Sequence, residues 1–261
     1  MEKTLIDLLF MSQKRKDLLL LLKDGSKTIE EIVDALQVNP TGMLPQIKKL
    51  KDDRLVLQED REYMLAPIAK ILVERMEPLL DTLEVIEEHE DFWQERDLRG
   101  IPRAFLGRFN ELKPYSLVKP DPDNIFEPPA VFMENVRKSK DILAFSSIFH
   151  PIFPGKFLRN EEKETEMTLI VTEGVFSRLE TDFKGELDIY LAQEKKKLFV
   201  CSDEIKIGLL TKTERFMLAS FLTAKGTFDQ EGIISLQPAA LQWTEDLILH
   251  YMKQSREIRR T

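Results

Sequence analysis

The segment SKTIEEIVDALQVNPTGMLPQIKKLKDDRLVLQEDREYML, Ser26 to Leu65, decides how the amino-terminal part of the chain folds. Thr28 and Glu31 have the spacing of a capping box, in which a hydroxyl takes one orphan helix amide and a carboxylate reaches back for another. Ile29, Ile32, Val33 and Leu36 then recur at i, i+3, i+4 and i+7, one apolar stripe of a helix. Asn39-Pro40 supplies a cap and a first-turn proline for a second helix. In that helix Met43, Ile47 and Leu50 share one face, while Thr41, Pro45, Lys48 and Lys49 fall on the other. Pro45 lies past the first turn and removes a hydrogen bond to Thr41, so a short distorted turn and a regular helix from about Pro45 are expected. Two β-prone runs, 55–58 and 62–65, flank the polar turn Glu59-Asp60-Arg61. Helix, tight turn, helix and hairpin is the layout of a winged helix-turn-helix, which turns the polar face of the second helix toward a major groove.

Working outward, Leu5, Leu8 and Leu9 form a short amphipathic arm, and Ser12 is placed to cap a helix over 13–23 with Leu18, Leu19 and Leu22 inward. Lys14-Arg15-Lys16 at its start opposes the helix dipole; a phosphate contact or a solvated face would each account for it. On the second helix Gln46 has the chemistry to pair bidentately with adenine, and Lys48 and Lys49 to reach phosphate or guanine. Thr41 and Arg61 complete this candidate DNA-binding set.

The 261 residues suffice for two ordinary domains. Of the net charge of −8, none resides in residues 1–70, where 12 Lys/Arg balance 12 Asp/Glu. Clustered positive charge supplies most non-specific DNA affinity, so two readings follow: cations gathered on one face, or a winged helix that grips protein. Cys201 is the sole cysteine, which excludes an intrachain disulfide and a cysteine-rich zinc site and fits a reducing cytoplasm. No apolar run reaches the ~18 residues of a membrane span, and Glu2 and Asp7 interrupt the terminal apolar pattern as a secretory signal would not.

Beyond the hairpin, Ile68, Leu72, Met76, Leu79, Leu83 and Ile86 recur at three- and four-residue steps and predict a long helix, kinked at Pro78, that connects domains and offers a dimer seam. An acidic run from Glu87 to Glu95 encloses Phe92-Trp93, a short helical pattern spans 105–112, and prolines at 114, 120, 122, 128 and 129 mark an irregular path. After it a helix around Phe132 and Val136 is expected. Strands follow at 142–145, 168–171, 187–191, 198–201 and 205–210, with helices from Val175 and from about Pro238. Alternating helix and strand, with near-continuous apolar strands, argues an α/β sheet covered by helices.

The segment Thr41-Gly42-Met43-Leu44-Pro45-Gln46-Ile47-Lys48-Lys49-Leu50 resembles the recognition region of a family of archaeal winged-helix regulators, as does Arg99-Gly100-Ile101-Pro102 followed by Phe105-Leu106-Gly107-Arg108. Asn124-Ile125-Phe126-Glu127-Pro128, Ser146-Ser147-Ile148-Phe149-His150-Pro151 and Thr172-Glu173-Gly174-Val175-Phe176 are similar to the family's carboxy-terminal domain, named for a methanogenesis regulatory protein. The resemblance covers most of the chain. It implies a transcriptional regulator with an amino-terminal DNA-binding domain and an α/β sensory or assembly domain, and it carries over no particular effector.

Catalytic signatures are missing: the chain has no G-x-S-x-G, Walker loop, H-E-x-x-H or dinucleotide fingerprint. Its three histidines, His89, His150 and His250, lie far apart in sequence, so neither a metal site nor a cofactor is expected. In α/β sheets ligands sit beyond the carboxyl ends of strands. Ser146, Ser147 and His150 after one strand, with Thr172 and Glu173 after another, form the candidate effector site, the amides after Thr172 being able to hold an anion.

The sequence therefore predicts a multidomain α+β and α/β chain. A winged helix-turn-helix over 1–75 is joined by a helical linker over 76–120 to an α/β effector or dimerisation domain over 121–261. The expected function is cytoplasmic DNA-binding regulation by a homodimer, with double-stranded DNA and a small-molecule effector as partners and no membrane. The alternative is an interaction module whose winged helix binds transcription machinery.

Overall fold

The computed structural model describes residues 4–121, 123, 127–150, 154–158 and 165–259. Glu2, Pro122, Asn124, Ile125, Phe126 and Pro151, used in the sequence reading, lie outside them. The chain forms two compact units, 1–81 and 82–261.

The first unit opens with α1 (Leu5–Phe10) and α2 (Gln13–Leu21), then β1 (Lys27–Thr28), α3 (Ile29–Leu36) and α4 (Pro40–Asp52). The hairpin β2 (Val56–Glu59) and β3 (Glu62–Leu65) follows, and α5 (Pro67–Glu88) runs on through the boundary between the units. Two of the three expected caps are formed, whereas Ser12 precedes α2 without a side-chain cap hydrogen bond. Glu31 N–H donates to Thr28 Oγ1 at 3.3 Å and Thr28 N–H to Glu31 Oε2 at 2.7 Å; Gly42 N–H donates to Asn39 Oδ1 at 2.7 Å. Between α3 and α4, Gln37 takes the left-handed conformation (φ 49°) that stops one helix so the next can start at an angle. The hairpin joins β1 in a three-stranded antiparallel sheet of order β1-β3-β2. Leu18, Leu19, Ile32, Met43, Ile47 and Leu50 meet in one core.

Two expectations here are revised. Pro45 does not restart the helix: α4 is one helix from Pro40 to Asp52 with Pro45 inside it. On α5 the buried positions are Ala69, Val73, Met76 and Val85, whereas Ile68, Leu79 and Leu83 of the expected stripe are 54, 49 and 40% exposed. The core-facing stripe thus lies to one side of the one assigned from sequence.

The second unit begins with α6 (Glu90–Gln94), α7 (Arg103–Leu106) and β4 (Ser116–Val118). Next come α8 (Ala130–Arg137), β5 (Asp141–Ser146), β6 (Glu166–Thr172), α9 (Glu173–Asp182), α10 (Lys184–Leu191) and β7 (Lys196–Cys201). It closes with β8 (Leu209–Thr213), β9 (Met217–Ser220), β10 (Gly232–Ser235), α11 (Pro238–Met252) and β11 (Arg256–Ile258). The strands form one eight-stranded mixed sheet, β11-β7-β6-β5-β8-β9-β10-β4, in which only β5, β6 and β7 run parallel. Alternation sends Leu143, Phe145, Ile170 and Leu210 to the face covered by α11, and Ala144, Leu169, Val171 and Leu218 to the face shared with α8, α9 and α10.

The stretch read as a linker is part of this core. Phe92, Trp93, Ile101, Phe105, Phe109, Leu112 and Tyr115 are all buried, and 116–118 forms the edge strand of the sheet. Trp93 Nε1–H donates to Val85 O (2.9 Å) and Tyr115 Oη (2.8 Å), and Trp243 Nε1–H to Phe105 O (3.0 Å). Arg96 is buried beneath this layer, stacked on Phe92 and paired with Asp229 (2.6 Å) and Glu231 (3.1 Å). The acidic composition of 87–95 hid this packing because the apolar residues face inward and the carboxylates outward.

The strand expected at 187–191 is helix α10. Leu187 and Tyr190, three apart, face the sheet, and the Tyr190 hydroxyl donates to Met167 O at 2.9 Å. Over five residues, period two and period 3.6 share too many positions to be told apart. The strand expected at 205–210 starts only at Leu209. Gly208, at φ 102°, turns the chain into it, and a Cβ there would stand 2.4 Å from Ser220 O.

Candidate functional site

Two surfaces are built by these elements, one in each unit. In the first, Met43, Ile47 and Leu50 anchor one face of α4 in the core, so the opposite face is turned to solvent. Thr41, Lys48 and Lys49 lie exposed on α4, and Arg61 is exposed at the hairpin turn. Lys51 Nζ is engaged by Gln58 Oε1 at 2.6 Å, which ties α4 to the hairpin. Leu44 is 45% exposed on the same outer face.

Gln46 departs from the sequence expectation. Its Oε1 accepts from Arg15 Nη1 at 3.0 Å and the residue is half-buried. Bidentate pairing with adenine needs both the amide oxygen and the amide nitrogen, and here the oxygen is already used. Arg15 is itself only 7% exposed and donates also to Leu8 O and Asp7 O, each at 2.8 Å. It ties α1, α2 and α4 together and is not presented to phosphate, whereas Lys14 and Lys16 beside it remain on or near the surface.

In the second unit a cavity of about 70 Å³ lies on the face shared with α8, at the carboxyl end of β5. Its floor is two rows of the sheet, Ala144-Thr211-Leu218 and Ser146-Leu209-Ser220, set side by side by the register of β5, β8 and β9. Pro128, Pro129 and Phe132 of the α8 region, with Ile148, His150, Phe228 and Gln230, complete its lining. Burial holds the His150 imidazole below its ordinary pKa, opposed by a hydrogen bond with Gln230, so the ring is neutral at physiological pH. Gln230 sits at φ 65°.

The five residues expected to form one effector site are divided by the sheet. Ser146 and His150 line the cavity. Ser147 points elsewhere, with its Oγ accepting from Gly208 N–H at 3.2 Å. β5 and β6 pair with Ser146 beside Val171, so Thr172 is one residue out of step and falls on the α11 side; a single step along a strand changes the face. Glu173 is ion-paired with Arg256 at 2.9 Å, and Gly174 N–H, the amide expected to hold an anion, donates to Asp203 Oδ1 at 2.8 Å. The sequence reading missed Thr211, Ser220 and Gln230. The available signal was polar residues inside the apolar runs 209–213 and 217–220, and it is unreadable until those runs are known to be neighbouring strands.

Residues 3–84 match the family described as methanogenesis regulatory protein FilR1, N-terminal domain, and residues 125–254 match its middle domain. The sequence reading took the second of these for a carboxy-terminal domain. The chain is 27% identical over 256 residues to methanogenesis regulatory protein FilR1 of Methanothrix harundinacea (strain 6Ac). The alignment takes in 95% of this chain but 56% of that protein, so the chain spans about half the length of its relative. Among solved structures, TrmBL2, described as an archaeal chromatin protein with a novel mode of DNA binding, superposes with TM-score 0.44 at 10% identity, over 97% of this chain and 98% of that one. Nuc of Salmonella typhimurium, a phospholipase D family member, gives 0.39 at 11% identity over 56% of this chain and 99% of its own. No helix among the described residues is long and apolar enough to cross a membrane. By its N-terminal and middle domains, the chain belongs to the methanogenesis regulatory protein FilR1 family, a family of regulators.

Proposed function

We propose that this chain is a transcriptional regulator whose first unit, a winged helix-turn-helix, binds double-stranded DNA through α4. The observation that carries the reading is the division of α4. One face is locked in the core, and the other presents Lys48 and Lys49, which have no ion-pair partner among the described residues. Thr41 and Arg61 flank them, and Gln46 serves to fix the helix. The second unit is the effector-sensing unit, with the cavity at Ser146 and His150 as its site. The chain works as a homodimer in the cytoplasm, and Ile68, Ile71, Leu79 and Leu83, exposed along α5, supply the apolar contact surface for the second copy. Its mass in solution tests that part directly: a strict monomer, with and without DNA, removes it.

A second reading has one observation in its favour. Leu44, exposed one turn before Lys48 on α4, suits a protein partner in the transcription machinery better than a phosphate backbone. Salt dependence separates the two. Each phosphate contact contributes about 0.9 to the slope of log affinity against log salt, so Lys48→Ala with Lys49→Ala flattens the slope for a random-sequence duplex by about two units. An unchanged slope refutes the DNA reading. Loss of binding to the transcription machinery in Leu44→Glu, with the DNA slope unaltered, establishes the other.

A further inference from the structure

The lining of the cavity in the second unit specifies what it holds, given the reading of that unit as the sensing part. Among the described residues, none that lines it is Asp, Glu, Lys or Arg, and its walls are mostly apolar. Its one titratable wall residue, His150, is kept neutral by burial. A carboxylate, phosphate or ammonium entering it would leave its water behind and meet no opposite charge, which is prohibitive.

Two polar groups nevertheless stand in the floor. Thr211 is 1% and Ser220 3% exposed, both line the cavity, and among the described residues neither hydroxyl has a hydrogen-bond partner. They are diagonal neighbours on β8 and β9, since Thr211 pairs with Leu218, two residues before Ser220. By contrast, the Ser146 hydroxyl at the rim is satisfied by Ile148, donating to its carbonyl at 2.7 Å. Buried hydroxyls are ordinarily paired, and a pair left open on an apolar floor is what a bound oxygen atom would complete.

We infer that this cavity binds a small uncharged organic molecule, a single ring or short branched aliphatic with one neutral oxygen, and that Thr211 and Ser220 hydrogen-bond to that oxygen. The apolar walls recognise the body of the ligand and the two hydroxyls its orientation. Anionic metabolites meet no countercharge among the described lining residues.

The test uses the full chain with methyl-labelled leucines and three probes of nearly one shape: cyclohexanone, methylenecyclohexane and cyclohexanecarboxylate. Cyclohexanone, titrated to millimolar concentration, is expected to move the Leu209 and Leu218 methyl resonances saturably. Methylenecyclohexane binds about five-fold more weakly, the worth of an ordinary neutral hydrogen bond, and the carboxylate not at all. In Thr211→Val with Ser220→Ala the hydrocarbon still binds, which reports an intact cavity, while the preference for the ketone vanishes. Tighter binding of the carboxylate, a ketone preference that survives the double substitution, or no response to either neutral probe overturns the assignment. DNA affinity measured in parallel keeps the underlying reading separate. A ketone that binds without altering DNA affinity refutes the sensing role and leaves the ligand class standing. A chain that binds DNA but ignores both neutral probes refutes the ligand class alone.

Discussion

Replacing Arg15 by methionine would test how the first unit is held together. Methionine keeps most of the packing of the arginine stem and removes only the donors. Three bonds are lost: to Leu8 O and Asp7 O at 2.8 Å, near the carboxyl end of α1, and to Gln46 Oε1 on α4 at 3.0 Å. Hydrogen bonds from a charged donor are each worth about 1.5–3 kcal/mol. The freed groups lie near enough to water to recover part of this, so a net loss of about 3 kcal/mol is expected. For a unit of this size 1 kcal/mol moves the midpoint by about 4–8 °C, hence a fall of about 12 °C or more. Far-ultraviolet circular dichroism follows the helices of both units. Trp93 and Trp243, the only tryptophans, lie in the second unit, so their fluorescence should shift less and serves as the internal reference. Lys16→Met is the control and should stay within about 0.5 kcal/mol of the parent. An Arg15→Met chain as stable as that control would refute the reasoning, and would return Gln46 to the set of residues free to read a base.

Further expectations follow from single positions. Gly208→Ala places a Cβ 2.4 Å from Ser220 O at φ 102°, and a cost of about 2 kcal/mol or more is expected by denaturant titration; a neutral effect would show that the β8–β9 entry relaxes freely. For His150 the folded-state pKa lies below its ordinary 6.5 because of burial, so below 6.5 the unfolded chain takes up the proton first. Its stabilising contribution is therefore full above 6.5 and declines as pH falls. Between about pH 7.5 and 5.5 the wild-type midpoint should drop further than that of His150→Gln, and equal drops would place the ring in water.

How much of this was legible in the residues differs between the two units. The order of helices and hairpin in the first could be read directly, because capping boxes, cap-plus-proline pairs and short turns are interactions between residues three or four apart. Thr28 with Glu31 and Asn39 with Gly42 are of this kind. The engagement of Gln46 by Arg15, 31 residues away, is not. In the second unit the apolar strands at 142–145 and 168–171 were plain, since each carries a run of at least three consecutive buried apolar residues. The hydrogen bond of Trp93 to Tyr115 and the closing of Arg96 on Asp229, 133 residues on, were invisible.

By itself the sequence determined which segments become helices and hairpin in the first unit, which segments become the parallel strands of the second, and which face of α4 stays polar. Those outcomes are local in the chain. Tertiary structure alone decided that 85–118 is core and not connector, that Ser146 and Thr172 stand on opposite faces of one sheet, and that Thr211 and Ser220 are diagonal neighbours in the floor of a single cavity. The physical reason is register: strand pairing fixes which side of the sheet each residue occupies, and pairing is set by contacts between segments that have no periodic relation to one another.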